Sequence, residues 1–332
     1  MHIKFFKNIN KNNVNQAGGK GASLGEMTRL FGGQAYNSVP SGFVVLASAF
    51  DRFLEETNLN VEIKARLDEV NIEDTNSIDR ASAIIRDVIH DHEMPKDLTD
   101  EILQSFDELD AEYVAVRSSA TAEDGAVASW AGELETYLNT TRENVIEKVK
   151  NCWSSLFTPR AIFYRHEQKL IDHYVSVAVV VQKMIQSEIS GIAFTVHPVT
   201  EDYNQMIIEA GYGLGEAIVS GQITPDSYVV SKNDMSIMDI NVGVQTRKLI
   251  KRFKDLKIKK LKNGEDDDVS NEWLELGDEG EKQKLSGKQI IELAELCKKI
   301  EDHYGFPCDI EWAFAEGKFY ITQSRPITTL KK

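Results

Sequence analysis

Cysteine is scarce in this chain. Only Cys152, Cys297 and Cys308 occur among 332 residues, and no two form a Cys-x-x-Cys pair. An odd, widely spaced set excludes a disulfide framework and a zinc ribbon, and leaves buried thiols in a reducing compartment as the reading. Long apolar runs are lacking too. The longest, Val175–Val181, is interrupted by Ser176 and falls far short of the roughly 20 residues that cross a bilayer. The opening MHIKFFKNINKNN has no apolar segment of the kind a secretory signal needs. Positive charge is in deficit, with 38 Lys and Arg against 53 Asp and Glu and a net charge of −15. Nucleic-acid binders carry a basic face, so no nucleic-acid partner is expected, although one local cationic site for a small anion fits any net charge. The seven histidines show no metal-ligand spacing. These absences predict a soluble cytoplasmic protein with no membrane partner, large enough for one domain or two lobes.

What the chain does contain is alternating helix and strand patterning. Gly18-Gly19-Lys20-Gly21 precedes apolar residues at Leu24, Met27, Leu30 and Phe31, a helical spacing that Gly32-Gly33 ends. Val39-Pro40-Ser41-Gly42 predicts a turn into an apolar strand, and residues 50–110 carry amphipathic helical patterns. Tyr113–Val116 reads as a buried strand feeding a polar loop, Arg117–Ser129. Thr141 is a candidate N-cap for a helix with Val145, Val149, Cys152, Trp153 and Leu156 on one face. The β-branched run Val177–Ile185 predicts a strand covered on both faces. Ile207–Glu209 predicts a strand before a glycine-rich turn, Gly211–Glu216. Ile290, Leu293, Ala294, Cys297 and Ile300 predict a further helix, and Asp309–Trp312 and Phe319–Gln323 two closing strands. The acidic, apolar-poor stretch 263–284 predicts a surface excursion. The mixture gives an α+β class.

Several positions suit phosphate chemistry. Lys20 lies in a glycine cluster at a helix start, where exposed amides and a point charge favour anions. It is not a P-loop, because Val14 and Gly21 stand where that motif needs Gly and Ser or Thr. A glycine turn with a solvated lysine fits equally well. Arg117 ends a strand and can grip phosphate through its planar fork, or pair with Glu123 or Asp124. Glu311 and Gln323 on paired strands would face one side, a carboxylate and an amide oxygen that suit Mg²⁺. Arg325 beside them can hold a transferring phosphoryl group, or form an ion pair with Glu311.

Together these stretches resemble the ATP-binding domain of the phosphoenolpyruvate synthase and pyruvate phosphate dikinase family. The resemblance runs through Gly18–Met27, Val39–Phe43, Ala115–Asp124, Ser129–Gly132, Glu135–Asn139, Gly213–Ala217 and Gln323–Ile327, in family order. It implies an ATP-grasp fold, with nucleotide between an amino-terminal lobe, 1–180, and a carboxy-terminal lobe, 181–330. It further implies that Lys20 and Arg117 contact phosphates and that Gly132, Thr136 and Tyr137 lie along the nucleotide. Gln182-Lys183-Met184 would be the strand beside adenine, Glu311 and Gln323 the Mg²⁺ ligands, and Arg325 the group that stabilises transferred phosphate. Trp130, Glu133 and His197 depart from the family's common residues.

Family members pass phosphate from ATP to a histidine in a Gly-Gly-x-x-[Ser/Thr]-His context, which none of the histidines here has. The resemblance therefore implies an ATP-binding component of a pyruvate–water dikinase that acts with a phosphohistidine swivelling domain or subunit in trans. Rifamycin-type and phenol-type phosphotransferases share this machinery and are alternatives. A non-catalytic ATP-binding module would be marked by loss of Lys20, Arg117, Glu311 or Arg325, and all are present.

Overall fold

In the computed structural model the described residues are 1–32, 38–121, 134–168, 175–251 and 271–330. Two compact units emerge, Met1–Gly32 with Ser41–Met184 and Gly33–Pro40 with Ile185–Lys332. Among the described residues no helix is long and apolar enough to cross a membrane.

The first unit is built on an antiparallel sheet of β1 (Ile3–Phe5), β2 (Gly42–Val45), β3 (Val114–Ala120), β4 (Thr136–Thr140) and β5 (Val177–Lys183), in the order β1-β2-β5-β3-β4. The uninterrupted apolar run of β5 takes the centre, and Val177 to Val181 are fully buried, as expected for a strand with two covered faces. On one face lies α1 (Val14–Phe31), with Gly21 against Val44. On the other lie α2 (Ala47–Glu56), α3 (Leu59–Asp68), α4 (Thr75–Asp91), α5 (Lys96–Leu109), α6 (Val145–Ser154) and α7 (Pro159–Glu167). The stripe Val145, Val149, Cys152, Trp153 and Leu156 is wholly buried there, each large apolar side chain contributing about 1.5–3 kcal/mol. Trp153 packs on Phe50 and Phe53 at ring distances of 5.4 and 5.2 Å.

Two local expectations fail in this unit. Arg117–Ala120 are not loop but the second half of β3, which pairs with β5 as far as Ala120. Ser118 and Ser119 read as polar, yet both are buried because their hydroxyls are hydrogen-bonded inside the fold. Thr141 does not cap α6. The N-cap position is Asn144, whose Oδ1 accepts instead from the Thr141 amide at 2.8 Å.

The second unit holds an antiparallel sheet of β6 (Ile189–Phe194), β7 (Gln205–Tyr212), β8 (Asp226–Ser231), β9 (Ile237–Asn241), β12 (Cys308–Ala315) and β13 (Lys318–Pro326), ordered β13-β12-β6-β7-β8-β9. The short α8 (Glu216–Val219) follows the turn after β7, and β10 (Arg247–Lys251) pairs with β11 (Asn271–Glu275). α9 (Gly287–Tyr304) begins at a Ser286–Gln289 capping box and buries the predicted stripe Ile290, Leu293, Ala294, Cys297 and Ile300 against one sheet face. Gly191 of β6 is required, since a Cβ there would lie 1.8 Å from the Glu209 carbonyl oxygen.

Of the acidic excursion expected at 263–284, residues 263–270 lie outside the described residues, and most of 271–284 is exposed. Asn271–Glu275 form a strand, and Lys284 is buried. Its ammonium meets Asp226 at 2.9 Å and donates to the carbonyls of Gly243 and Gly280. Asp226 also accepts from the Lys284 and Gly243 amides and the Tyr228 hydroxyl. A saturated buried ion pair thus draws an apolar-poor segment into the fold.

Candidate functional site

Each unit carries one polar face built by its own strands and helices. In the first unit it starts at a break in α1, where Gly18 has φ +67° and ψ 173°. The break presents a fresh helix start at Gly19-Lys20-Gly21, one turn later than the first residue of α1. A Cβ at Gly18 would lie 2.2 Å from the Ser119 carbonyl oxygen, so only glycine permits this approach. The Ser119 hydroxyl closes the join, donating to the Ala17 carbonyl at 2.9 Å and accepting from the Gly21 amide at 3.2 Å.

Two residues before Ser119 on β3, Arg117 points to the same side, and its partner in register on β4 is Thr136. Lys20, Arg117 and Thr136 therefore belong to one face, the α1 side of the sheet. Tyr137 does not. It points to the opposite side, where its hydroxyl donates to the Glu135 carboxylate and Arg86 grips the same carboxylate at 3.0 and 3.2 Å. Burial, then the Glu135 bond, pushes the Tyr137 phenol pKa up. Lys183 ends β5 with its ammonium on the Asp110 carbonyl at 3.1 Å, and the Lys183 and Met184 amides donate to the Ser41 and Tyr113 carbonyls. Gly132 lies outside the described residues.

In the second unit the covered face is apolar. Ile310, Ala193, Ile208 and Tyr228 stand in one row across β12, β6, β7 and β8, all buried. The opposite face carries the row Gln323, Glu311, Ile192, Glu209 and Ser227, with Arg325 and Asp309 paired in the next row. A bulge between Glu311 and Trp312 leaves Glu311 opposite Gln323, the juxtaposition expected from sequence. Arg325 meets Asp309, with Nε at 2.8 Å and Nη2 at 2.7 Å from one carboxylate oxygen.

The carboxylates crowd each other. Burial, and secondarily Glu311, pushes the Asp309 pKa up against the opposing pull of Arg325. Burial, and then Asp309, pushes Glu209 up. A cation here would relieve that cost. Among the described residues no three His, Cys, Asp or Glu side chains are placed to hold a metal by themselves. One carboxylate with one amide oxygen is an incomplete set that suits magnesium shared with phosphate oxygens, since that ion is usually bound by one or two carboxylates plus substrate. Sequence reasoning singled out neither Asp309 nor Glu209. Asp309 was accessible through the two-residue strand period from Glu311, whereas Glu209 depends on how the strands are ordered.

A family model described as "Pyruvate phosphate dikinase, AMP/ATP-binding domain" matches residues 14–332. A probable phosphoenolpyruvate synthase of Archaeoglobus fulgidus is 46% identical over 100% of this chain and 42% of its own length. One of Methanocaldococcus jannaschii is 44% identical over 99% of this chain and 27% of its own. A rifampicin phosphotransferase of Bacillus cereus is 37% identical over 98% of this chain and 36% of its own. The chain thus spans less than half the length of each of these curated relatives. Among solved structures, a D-alanine–D-alanine ligase of Helicobacter pylori aligns over 70% of this chain and 54% of its own at 12% identity, with a TM-score of 0.27, too slight a likeness to bear on the fold.

Proposed function

The chain belongs to the pyruvate phosphate dikinase AMP/ATP-binding domain family, and from that premise we propose that it binds Mg·ATP in an ATP-grasp fold and passes a phosphoryl group to a histidine on a separate domain or subunit. In the full synthase-type reaction, ATP, pyruvate and water give AMP, phosphoenolpyruvate and phosphate. The observation that carries the reading is the pairing of Glu311 with Gln323 beside the Asp309–Arg325 ion pair on one half-buried sheet face.

Lys20 and Arg117 hold phosphate oxygens beside the new helix start. Thr136 extends that face. Tyr137, on the reverse side, braces β4 through Glu135 and Arg86, and Lys183 marks the adenine end. Glu311 and Gln323 would hold magnesium, which would supply positive charge to offset that of the phosphates. Arg325, oriented by Asp309, stabilises charge on the phosphoryl group in flight. The likeness to a rifampicin phosphotransferase supports a second reading, in which the same first step serves an antibiotic acceptor.

Calorimetric titration with Mg·ATP should show one site, weakened at least about tenfold in Arg117→Ala, the loss expected for a charge-assisted hydrogen bond. Incubation with Mg·ATP and pyruvate should yield phosphoenolpyruvate only after the histidine-bearing and pyruvate-binding domains of a relative are added. Product from the chain alone, or unchanged affinity in Arg117→Ala, would overturn the proposal.

A further inference from the structure

Apart from both polar faces, the first unit holds a cavity of about 650 Å³ among α2, α3 and α7, a size typical of small-ligand sites. Its inner wall is apolar, with Phe50, Leu54, Ile63, Phe157 and Ile162 all buried. One cation interrupts it. Arg165, in the last turn of α7, is half-buried, and its Nε is out of solvent with no hydrogen-bond partner among the described residues. Desolvation lowers its pKa, and no acidic neighbour among the described residues raises it again. A desolvated N–H with no acceptor is costly to leave unmet, so a cavity that keeps one is prepared for an anion. The rim adds exposed Lys64 and His166, and also Asp68 and Glu73. The rim charges roughly balance, so the half-buried guanidinium with its unmet Nε is what selects.

We propose that this cavity binds a small organic acid, its carboxylate on Arg165 and its apolar body against Phe50, Leu54 and Ile63. The chemistry asks for both parts. A bare inorganic anion would leave the apolar wall wet, and an uncharged hydrocarbon would leave the guanidinium unmet.

The test is calorimetric titration of the full chain with octanoate as probe and with acetate and 1-octanol as controls. The expected result is one sub-millimolar octanoate site in wild type, far weaker acetate binding, and at least about tenfold weaker octanoate binding in Arg165→Met. 1-Octanol should bind wild type and Arg165→Met alike. Without ligand, Arg165→Met should melt no lower than wild type, because it removes a desolvated N–H that has no acceptor. Leu54→Trp, which fills the cavity and keeps Arg165, should also lose octanoate. Equal octanoate affinity in wild type and Arg165→Met would reduce the site to an apolar patch. No octanoate heat with wild type, a marked fall in melting temperature for Arg165→Met, or octanoate binding preserved in Leu54→Trp would each overturn the proposal.

Discussion

Asp226 and Lys284 meet on the α9 side of the second unit's sheet with both side chains at 0% exposure. Asp309 and Arg325 meet on the other side at 12% and 40%. The first carboxylate is saturated by two amides, a phenol and an ammonium. The second accepts two Arg325 nitrogens on one oxygen and has carboxylates on both flanks, Glu311 on its own strand and Glu209 two strands away. One pair uses its charges to hold the chain in place. The other keeps a reachable guanidinium beside crowded acids, which is what a site for phosphate and a cation needs.

Four substitutions probe that contrast. The largest effect is expected from Lys284→Met, which leaves Asp226 buried without its cation. It should cost about 3–5 kcal/mol in urea unfolding, with Mg·ATP affinity unchanged per folded molecule. A loss below about 1 kcal/mol, the level of a surface pair, would erase the distinction. Arg325→Ala should do the reverse. Phosphoryl transfer to an added histidine domain should fall about 10²–10³-fold, while the unfolding free energy moves by less than about 1 kcal/mol. Gly18→Ala carries the comparison into the first unit, where a backbone break shapes the cationic face. It should cost about 1–3 kcal/mol through positive-φ strain and crowding against Ser119, and weaken Mg·ATP in the same titration.

The smallest effect is that of Glu209→Gln. Because Glu209 has a raised pKa in the fold, its protonated form is favoured there. The native state is then best off below the ordinary glutamate range and loses stability as pH rises through the raised value. Gln mimics the protonated form. The variant should therefore be more stable than wild type near pH 7, by less than about 1 kcal/mol after solvent screening. The advantage should disappear in acid. A difference that persists undiminished at low pH would show that charge is not its cause.

Where the sequence was legible, the signal was local. The β-branched run in β5 and the stripes of α6 and α9 carry their own periodicity, and burial follows it residue by residue. Glu311 and Gln323 were legible because both belong to one hairpin. What stayed hidden depends on partners distant in sequence. Ser118 and Ser119 look like loop residues until their hydroxyls meet Cys152 and Ala17. Lys284 looks like a surface lysine until Asp226 is placed behind it. Glu209 joins the site only because β6 separates its strand from β12.

The Gly18 break bears on the order of folding. Its hydroxyl tether comes from Ser119, 102 residues away from Ala17, so a segment distant in sequence helps to hold it. Helical turns form within about a microsecond, whereas contacts between distant segments wait for chain closure. The bent start of α1 should accordingly mature only after β3 has docked. A peptide covering residues 10–32 should show helix without the break, and amide exchange at Gly21 should report the docking of β3.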